Sequence, residues 1–248
     1  RALAIAALSV STPALRNMGT LGGNLCLDTR CNYYNQSHLW RQAIGFCMKK
    51  DGDICLVAPG SPRCWAISSC DTAPALIALG ASARLVGPKG ERTVSIESLY
   101  RDDGINYLAK EPDEIVAQII VPSRTDWRST YWKLRRRGSF DFPVLGVAVA
   151  VRTDPSAAVC EAKIVLGGVA ARPLTLPSAA HALLGQPLCE ETIAGAAEQA
   201  YRVAKPVDNS DLTLGYRKRM VRVYLTRALR ELAGLGSTAT AGGEVGAA

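Results

Sequence analysis

No apolar run in the chain approaches the roughly 18 to 20 residues that a membrane-spanning helix needs, so the expectation is a soluble, cytoplasmic protein with no membrane partner. Histidine is nearly missing. His38 and His181 are the only two, and neither has a carboxylate or nucleophile at motif spacing, which leaves a hydrolytic triad unsupported. A P-loop and a GxGxxG following a strand are both absent, removing the commonest nucleotide-binding motifs. Eight cysteines in 248 residues are too few for a disulfide-dense scaffold. The segment Arg1 to Val10 lacks an initiator Met and a plausible cleavage site, and reads as a helix cut by the boundary of the chain rather than a signal peptide. There is no internal repeat.

What is present is enough apolar content, 48%, to build a buried core. The net charge of +7 is compatible with a nucleic acid, an acidic protein or an anionic cofactor. The basic clusters Arg135-Arg136-Arg137 and Arg217-Lys218-Arg219 have no accompanying aromatic recognition module and read as a solvated or subunit-docking face, with no nucleic-acid partner.

Six of the eight cysteines lie in one stretch, Cys26 to Cys70. Just before it comes Thr20-Leu21-Gly22-Gly23-Asn24, a compact turn whose glycines let backbone amides approach an anionic ligand with no side chain in the way. Within the stretch, Cys31-x15-Cys47-x7-Cys55-x8-Cys64 contains no CxxC knuckle, and this counts against a zinc finger. Thiolates are soft ligands suited to iron, so an iron-sulfur cluster is one reading. A zinc-stabilised binding module and disulfides are the others. Cys26, Cys70, Cys160 and Cys189 read as ordinary buried thiols.

Along the chain, Arg1 to Leu8 is rich in helix formers and ends before Pro13. Thr72 to Gly80 predicts a short buried helix capped by Asp71 and stopped by Gly80. Strands are expected at Ala83 to Val86, Arg92 to Ile96 and Glu114 to Val121, with a short helix beginning at Ser98 to Tyr100. Ser123 to Arg128 is the candidate domain boundary. Beyond it, Thr130 to Arg136, Pro143 to Arg152 and Val159 to Val169 predict a small antiparallel sheet. Helices follow at Pro177 to Leu184, Glu190 to Val203 and Leu212 to Leu235. The last places Leu214, Val221, Leu225, Ala228 and Leu232 near one face, with Arg217, Lys218, Arg219, Arg222 and Arg230 covering the remainder. Residues 236–248 are expected to form a disordered tail.

The segment Arg16-Asn-Met-Gly-Thr-Leu-Gly-Gly-Asn-Leu25 closely resembles the second flavin-binding motif of the FAD subunits of molybdenum hydroxylases, the family of xanthine dehydrogenase and carbon monoxide dehydrogenase. Most members run from that motif almost directly into a segment like Ser69-Cys-Asp-Thr-Ala-Pro-Ala-Leu-Ile-Ala-Leu-Gly80. The intervening residues here, with CNYYNQSHLWRQAIGFC and GDIC, resemble the insertion in the beta subunits of 4-hydroxybenzoyl-CoA reductases, which binds an additional 4Fe-4S cluster. The resemblance extends from about Arg1 to Gly234, without the family's first FAD subdomain.

It implies an α+β fold. Residues 1–124 would be the second subdomain of a PCMH-type FAD-binding domain, with an iron-sulfur loop at 26–70. Residues 128–235 would be a C-terminal domain like that of the CO dehydrogenase flavoprotein, an antiparallel sheet with a helical bundle. It further implies that Thr20, Gly22, Gly23 and Asn24 contact the FAD diphosphate, Asp71 the ribityl or ribose hydroxyls, Val116 and Lys133 the ring region, and that Cys31, Cys47, Cys55 and Cys64 hold the cluster. Without the resemblance, Gly22-Gly23 is only a turn, Asp71 a helix cap, Val116 core and Lys133 surface. No catalytic acid or base is implied. Electrons would pass from a ferredoxin-like donor through 4Fe-4S and FAD to a 2Fe-2S small subunit and a molybdenum-cofactor large subunit, where 4-hydroxybenzoyl-CoA is reductively dehydroxylated. The alternative is that the same flavin scaffold serves an oxidising molybdenum hydroxylase, with electrons running outward to an acceptor. Burial by Trp40, Phe46 and Trp65 would lower the dielectric around the cluster.

Overall fold

A computed structural model describes residues 1–236. Strand β5 (Leu145–Thr153) explains much of the architecture, because it alternates valine with alanine and successive residues face opposite sides of a sheet. Val147, Val149 and Val151 enter one core with helices α7 (Glu190–Val203) and α8 (Leu214–Ala233). Ala148 and Ala150 enter the other, with Ala2 and Ala6 of α1 (Ala2–Leu8) and with Ala73, Ala75 and Leu76 of α5 (Thr72–Ala78). Small residues on both partners let α1 and α5 lie close to the sheet: a Cβ at Gly167 would stand 2.8 Å from the Pro74 ring. Covered on both faces, β5 reads as a continuous apolar run.

The sheet is antiparallel, in the order β4-β5-β6-β7, with β4 at Trp127–Leu134, β6 at Val159–Gly167 and β7 at Leu174–Thr175. A second antiparallel sheet has the order β2-β1-β3, from β1 (Ser82–Gly87), β2 (Gly90–Ser95) and β3 (Ile115–Ile120). The α+β class is as the sequence predicts.

Four differences carry information. Pro13, expected only as a stop, is the first residue of α2 (Pro13–Met18), where its missing N–H costs nothing, and Thr12 caps it. The Thr20–Asn24 turn is one turn of helix, α3 (Leu21–Leu25), capped by the Thr20 hydroxyl. Another unexpected helix, α4 (His38–Ala43), lies inside the cysteine loop. In α8 the expected stripe is displaced: Leu214 is exposed, and Arg217, four residues before Val221, is fully buried. Its guanidinium donates to the carbonyls of Val207 and Gly168, so it closes a turn rather than covering a wet face. The expected tail lies outside the described residues from position 237 on.

Candidate functional site

The seven residues expected to meet a flavin are linked by contacts, Gly22 against Val116, Asn24 against Thr72 next to Asp71, and Asp71 against Lys133. Thr20 opens α3 with its Oγ1 accepting from Gly23 N–H at 2.9 Å. The first residues of such a turn, Leu21 and Gly22, present amides that no intrahelical carbonyl can take. A Cβ at Gly22 would stand 3.6 Å from the Val116 carbonyl and 3.9 Å from its side chain, ordinary contact distances that show α3 packed on β3. Asn24 turns the other way. Its Oδ1 accepts from Thr72 Oγ1 at 2.7 Å, Thr72 N–H at 3.3 Å and the Cys70 thiol at 3.1 Å. Asn24 thereby satisfies the start of α5, and Asp71 makes no capping bond, contrary to the simple cap reading.

Asp71 is instead buried against β4. Lys133 Nζ lies 2.9 Å from its Oδ2, and the Tyr131 hydroxyl donates to its Oδ1 at 2.9 Å. Lys133 also donates to the Ser9 carbonyl at the end of α1. Burial pushes the Asp71 carboxyl up and the Lys133 ammonium down, and their mutual attraction opposes both shifts. Lys133 is therefore not a surface residue: it joins three elements.

The second site is the cysteine loop. Cys31, Cys47, Cys55 and Cys64 are only 4 to 6% exposed and line a single small cavity of about 10 Å³. None is in a disulfide. Among the described residues, no three His, Cys, Asp or Glu side chains are grouped to share one metal ion. A single tetrahedral zinc, with bonds of about 2.3 Å, needs its sulfurs roughly 3.8 Å apart, whereas a four-iron cage binds each thiolate to a different iron and spreads them further. The thiols still feel one another. Burial, with the Cys64 and Cys47 thiols adding repulsion, pushes Cys31 up to about 11 against the pull of the Tyr33 and Tyr34 amides.

Local backbone explains the convergence. Arg30 and Ile67 pair in a short antiparallel bridge that sets Cys31 near Cys64. Gly45, Phe46 and Asp51 all have positive φ, which folds the chain tightly on both sides of Cys47. Ser37 caps α4, and Arg41, on its buried side, donates to the Lys50 carbonyl at 2.8 Å to brace that turn. Packing around the thiols comes from Tyr33, Tyr34, Met48 and Val57. This corrects the expectation of Trp40, Phe46 and Trp65, which lie outside the cavity lining, with Trp40 exposed.

Two residues gave no signal in the spacing. Gly104 lies against the loop so closely that a Cβ there would stand 2.7 Å from Cys64 Sγ. Asn209, 1% exposed, accepts from Asn32 N–H through its main-chain carbonyl and donates from its side chain to the Trp65 carbonyl. It ties together the residues that follow Cys31 and Cys64. Of the remaining cysteines, Cys70 is buried as expected, but Cys189 is exposed at the start of α7, where bonds from Thr192 and its amide hold the thiol below its ordinary range.

Residues 1–124 match the family described as the FAD binding domain in molybdopterin dehydrogenase, and residues 129–232 match the CO dehydrogenase flavoprotein C-terminal domain. The chain belongs to the FAD-binding medium subunits of the molybdenum hydroxylase family. It is 30% identical over 193 residues to the aldehyde oxidoreductase FAD-binding subunit PaoB of Escherichia coli K12, covering 74% of this chain and 59% of that one. To the carbon monoxide dehydrogenase medium chain of Hydrogenophaga pseudoflava it is 28% identical over 231 residues, 92% of this chain and 65% of that one. The solved carbon monoxide dehydrogenase from Hydrogenophaga pseudoflava that lacks the Mo-pyranopterin moiety superposes with a TM-score of 0.70 at 25% identity, over 92% of this chain and 66% of that one. The chain thus spans less than two thirds of the length of these curated relatives. The family description names an FAD binding domain over residues 1–124, and within it the Thr20–Asn24 turn offers helix-start amides without an intrahelical partner.

Proposed function

We propose that this chain is the flavin-carrying electron-transfer subunit of a molybdenum hydroxylase-type enzyme and that its cysteine loop holds an additional 4Fe-4S cluster. The observation that carries the second half is the convergence of four buried, unpaired thiols on one cavity. When bound, a flavin exchanges electrons singly or in pairs and a cluster one at a time, which is how such a subunit couples one-electron carriers to two-electron chemistry.

The residues here bind and orient. Leu21 and Gly22 amides with Thr20 receive the diphosphate, the Asp71–Lys133 pair presents fixed charge beside the flavin's sugar and ring, and Val116 backs the turn. Cys31, Cys47, Cys55 and Cys64 supply the thiolates, and the surrounding tyrosines and Met48 exclude water. The partners are a molybdenum-cofactor large subunit and a 2Fe-2S small subunit.

For the reaction, the named relatives favour an oxidising enzyme, with electrons leaving the molybdenum subunit toward an outside acceptor. The four-thiol cavity favours a second reading, reductive dehydroxylation of 4-hydroxybenzoyl-CoA fed by a ferredoxin-like donor. Anaerobic purification with iron, sulfide and flavin quantified tests the cofactor content. Serine at any of the four cysteines is expected to abolish the cluster, while Cys160→Ser retains it; an unchanged cluster in all four variants refutes the assignment. A colourless, zinc-loaded protein would return the loop to a binding module. Assaying the assembled complex with 4-hydroxybenzoyl-CoA and reduced ferredoxin, against oxidisable substrates with an acceptor, fixes the direction.

A further inference from the structure

One ionised side chain lines the four-thiol cavity, and it is Lys49. Its ammonium has three protons and three acceptors in place: Asp28 Oδ1 at 2.8 Å, Thr29 Oγ1 at 2.7 Å and the Gly104 carbonyl at 2.7 Å. It also lies over the Tyr34 ring, 4.9 Å from the centroid. The side chain is 6% exposed, so the charge is buried with its three acceptors. Gly104, which takes one of these bonds, itself lies against Cys64 Sγ and donates its N–H to the Cys64 carbonyl. The cation is therefore fixed one residue's thickness from a thiol of the cavity.

Its counterion is placed differently. Asp28 is 49% exposed, and solvent weakens its field at the cavity more than it weakens that of the buried lysine. Asp103 acts on Cys64 with the opposite sign to Lys49. A four-thiolate cluster takes on one further negative charge when it is reduced, and a fixed cation nearby favours that form.

We propose that Lys49 is an electrostatic tuning residue of the cysteine loop, setting the ease with which a cluster held by Cys31, Cys47, Cys55 and Cys64 accepts an electron, with Asp28 as its solvent-screened brake. This rests on the cluster reading above. The test uses the natural polypeptide carrying this chain, produced anaerobically, and first measures iron and sulfide in the unaltered protein; their absence removes the cluster reading itself and is a different failure. In loaded protein, the midpoint potential is followed by a dye-mediated titration of the cluster's visible and paramagnetic signals. Lys49→Met is expected to move it to more negative values, Lys49→Arg to leave it near the unaltered protein's, and Asp28→Asn to move it to more positive values. Lys49→Met also removes three braces, so it could fail to load; Asp28→Asn then decides, and an unmoved potential there overturns the proposal. A loaded Lys49→Met at the unaltered potential, or shifts of the same sign in Lys49→Met and Asp28→Asn, overturns it as well, because a merely structural lysine gives no opposed pair.

Discussion

The four-stranded sheet and the cysteine loop are held together by different physics. The sheet is secured by area: β5 is buried along most of its length, and its two faces close two cores with helices on each side. In the loop, the apolar cluster among the described residues consists of Cys31, Cys64 and Ala66 with a few partly buried neighbours. Its shape is fixed by single polar braces from Arg41, Lys49, Thr29 and Asn209. Area-held structure tolerates change by degrees and fails as a whole, whereas brace-held structure fails locally, at the function it positions.

The largest expected effect belongs to the sheet. Leu225, in the centre of the buried face of α8, has no exposed surface, and Leu225→Ala should cost about 2 to 5 kcal/mol through lost burial and the cavity left behind. Urea unfolding is expected to show a lower midpoint with an unchanged slope. A smaller effect confined to local probes would mean that α8 is not part of the cooperative core.

In the loop the same kind of change should separate stability from loading. Gly104→Ala puts a methyl where Cys64 Sγ and Ala66 stand, so Cys64 must move. Iron content is expected to collapse, with a modest shift of the global unfolding midpoint, because few core contacts depend on that position. Equal losses in both measurements would show that the loop is part of the global core after all. Asn209→Ala comes next in size. Removing a buried side chain that holds the Trp65 carbonyl leaves that carbonyl without its partner, about 1 to 3 kcal/mol. The expected sign is faster release of iron to a chelator at unchanged initial content.

The same contrast decides what the sequence could reveal. β5, α7 and α8 are legible because area-held elements leave periodic apolar patterns, and the run Glu190 to Val203 is bounded in the structure as its pattern suggests. Arg217 escapes that logic: a charge at a core position looks like a wet face until the Val207 and Gly168 carbonyls are seen. The thiol ligands stand out by type, but the braces do not. Lys49, Gly104 and Asn209 are distant in sequence from at least one group they hold, and nothing in local pattern pairs residue 209 with residues 32 and 65. Asp71 looked like a cap because it begins a helix, while its partner was on a strand about sixty residues away.

The smallest expected effect calibrates what a brace is worth when one partner is open to solvent. On the second sheet Arg92 of β2 grips Glu114, just before β3, through two bonds of 2.7 and 2.8 Å to its two oxygens and donates a third to the Ala109 carbonyl; the Arg92 side chain is 44% exposed and that of Glu114 11%. Water and salt screen such a pair, so Arg92→Gln should lower the urea midpoint only slightly at neutral pH. The guanidinium holds the Glu114 carboxyl at about 2, below its ordinary 4.5. A depressed carboxylate contributes its stabilisation above the unfolded value and loses it as pH falls toward the folded one. The difference between Arg92→Gln and the unaltered protein should accordingly be constant above about 4.5 and vanish near pH 2. If it persists there, Arg92 acts through the packing of its side chain rather than through charge. If the pair proves as costly to break as the Asn209 brace, burial is not what gives the cysteine loop's contacts their weight.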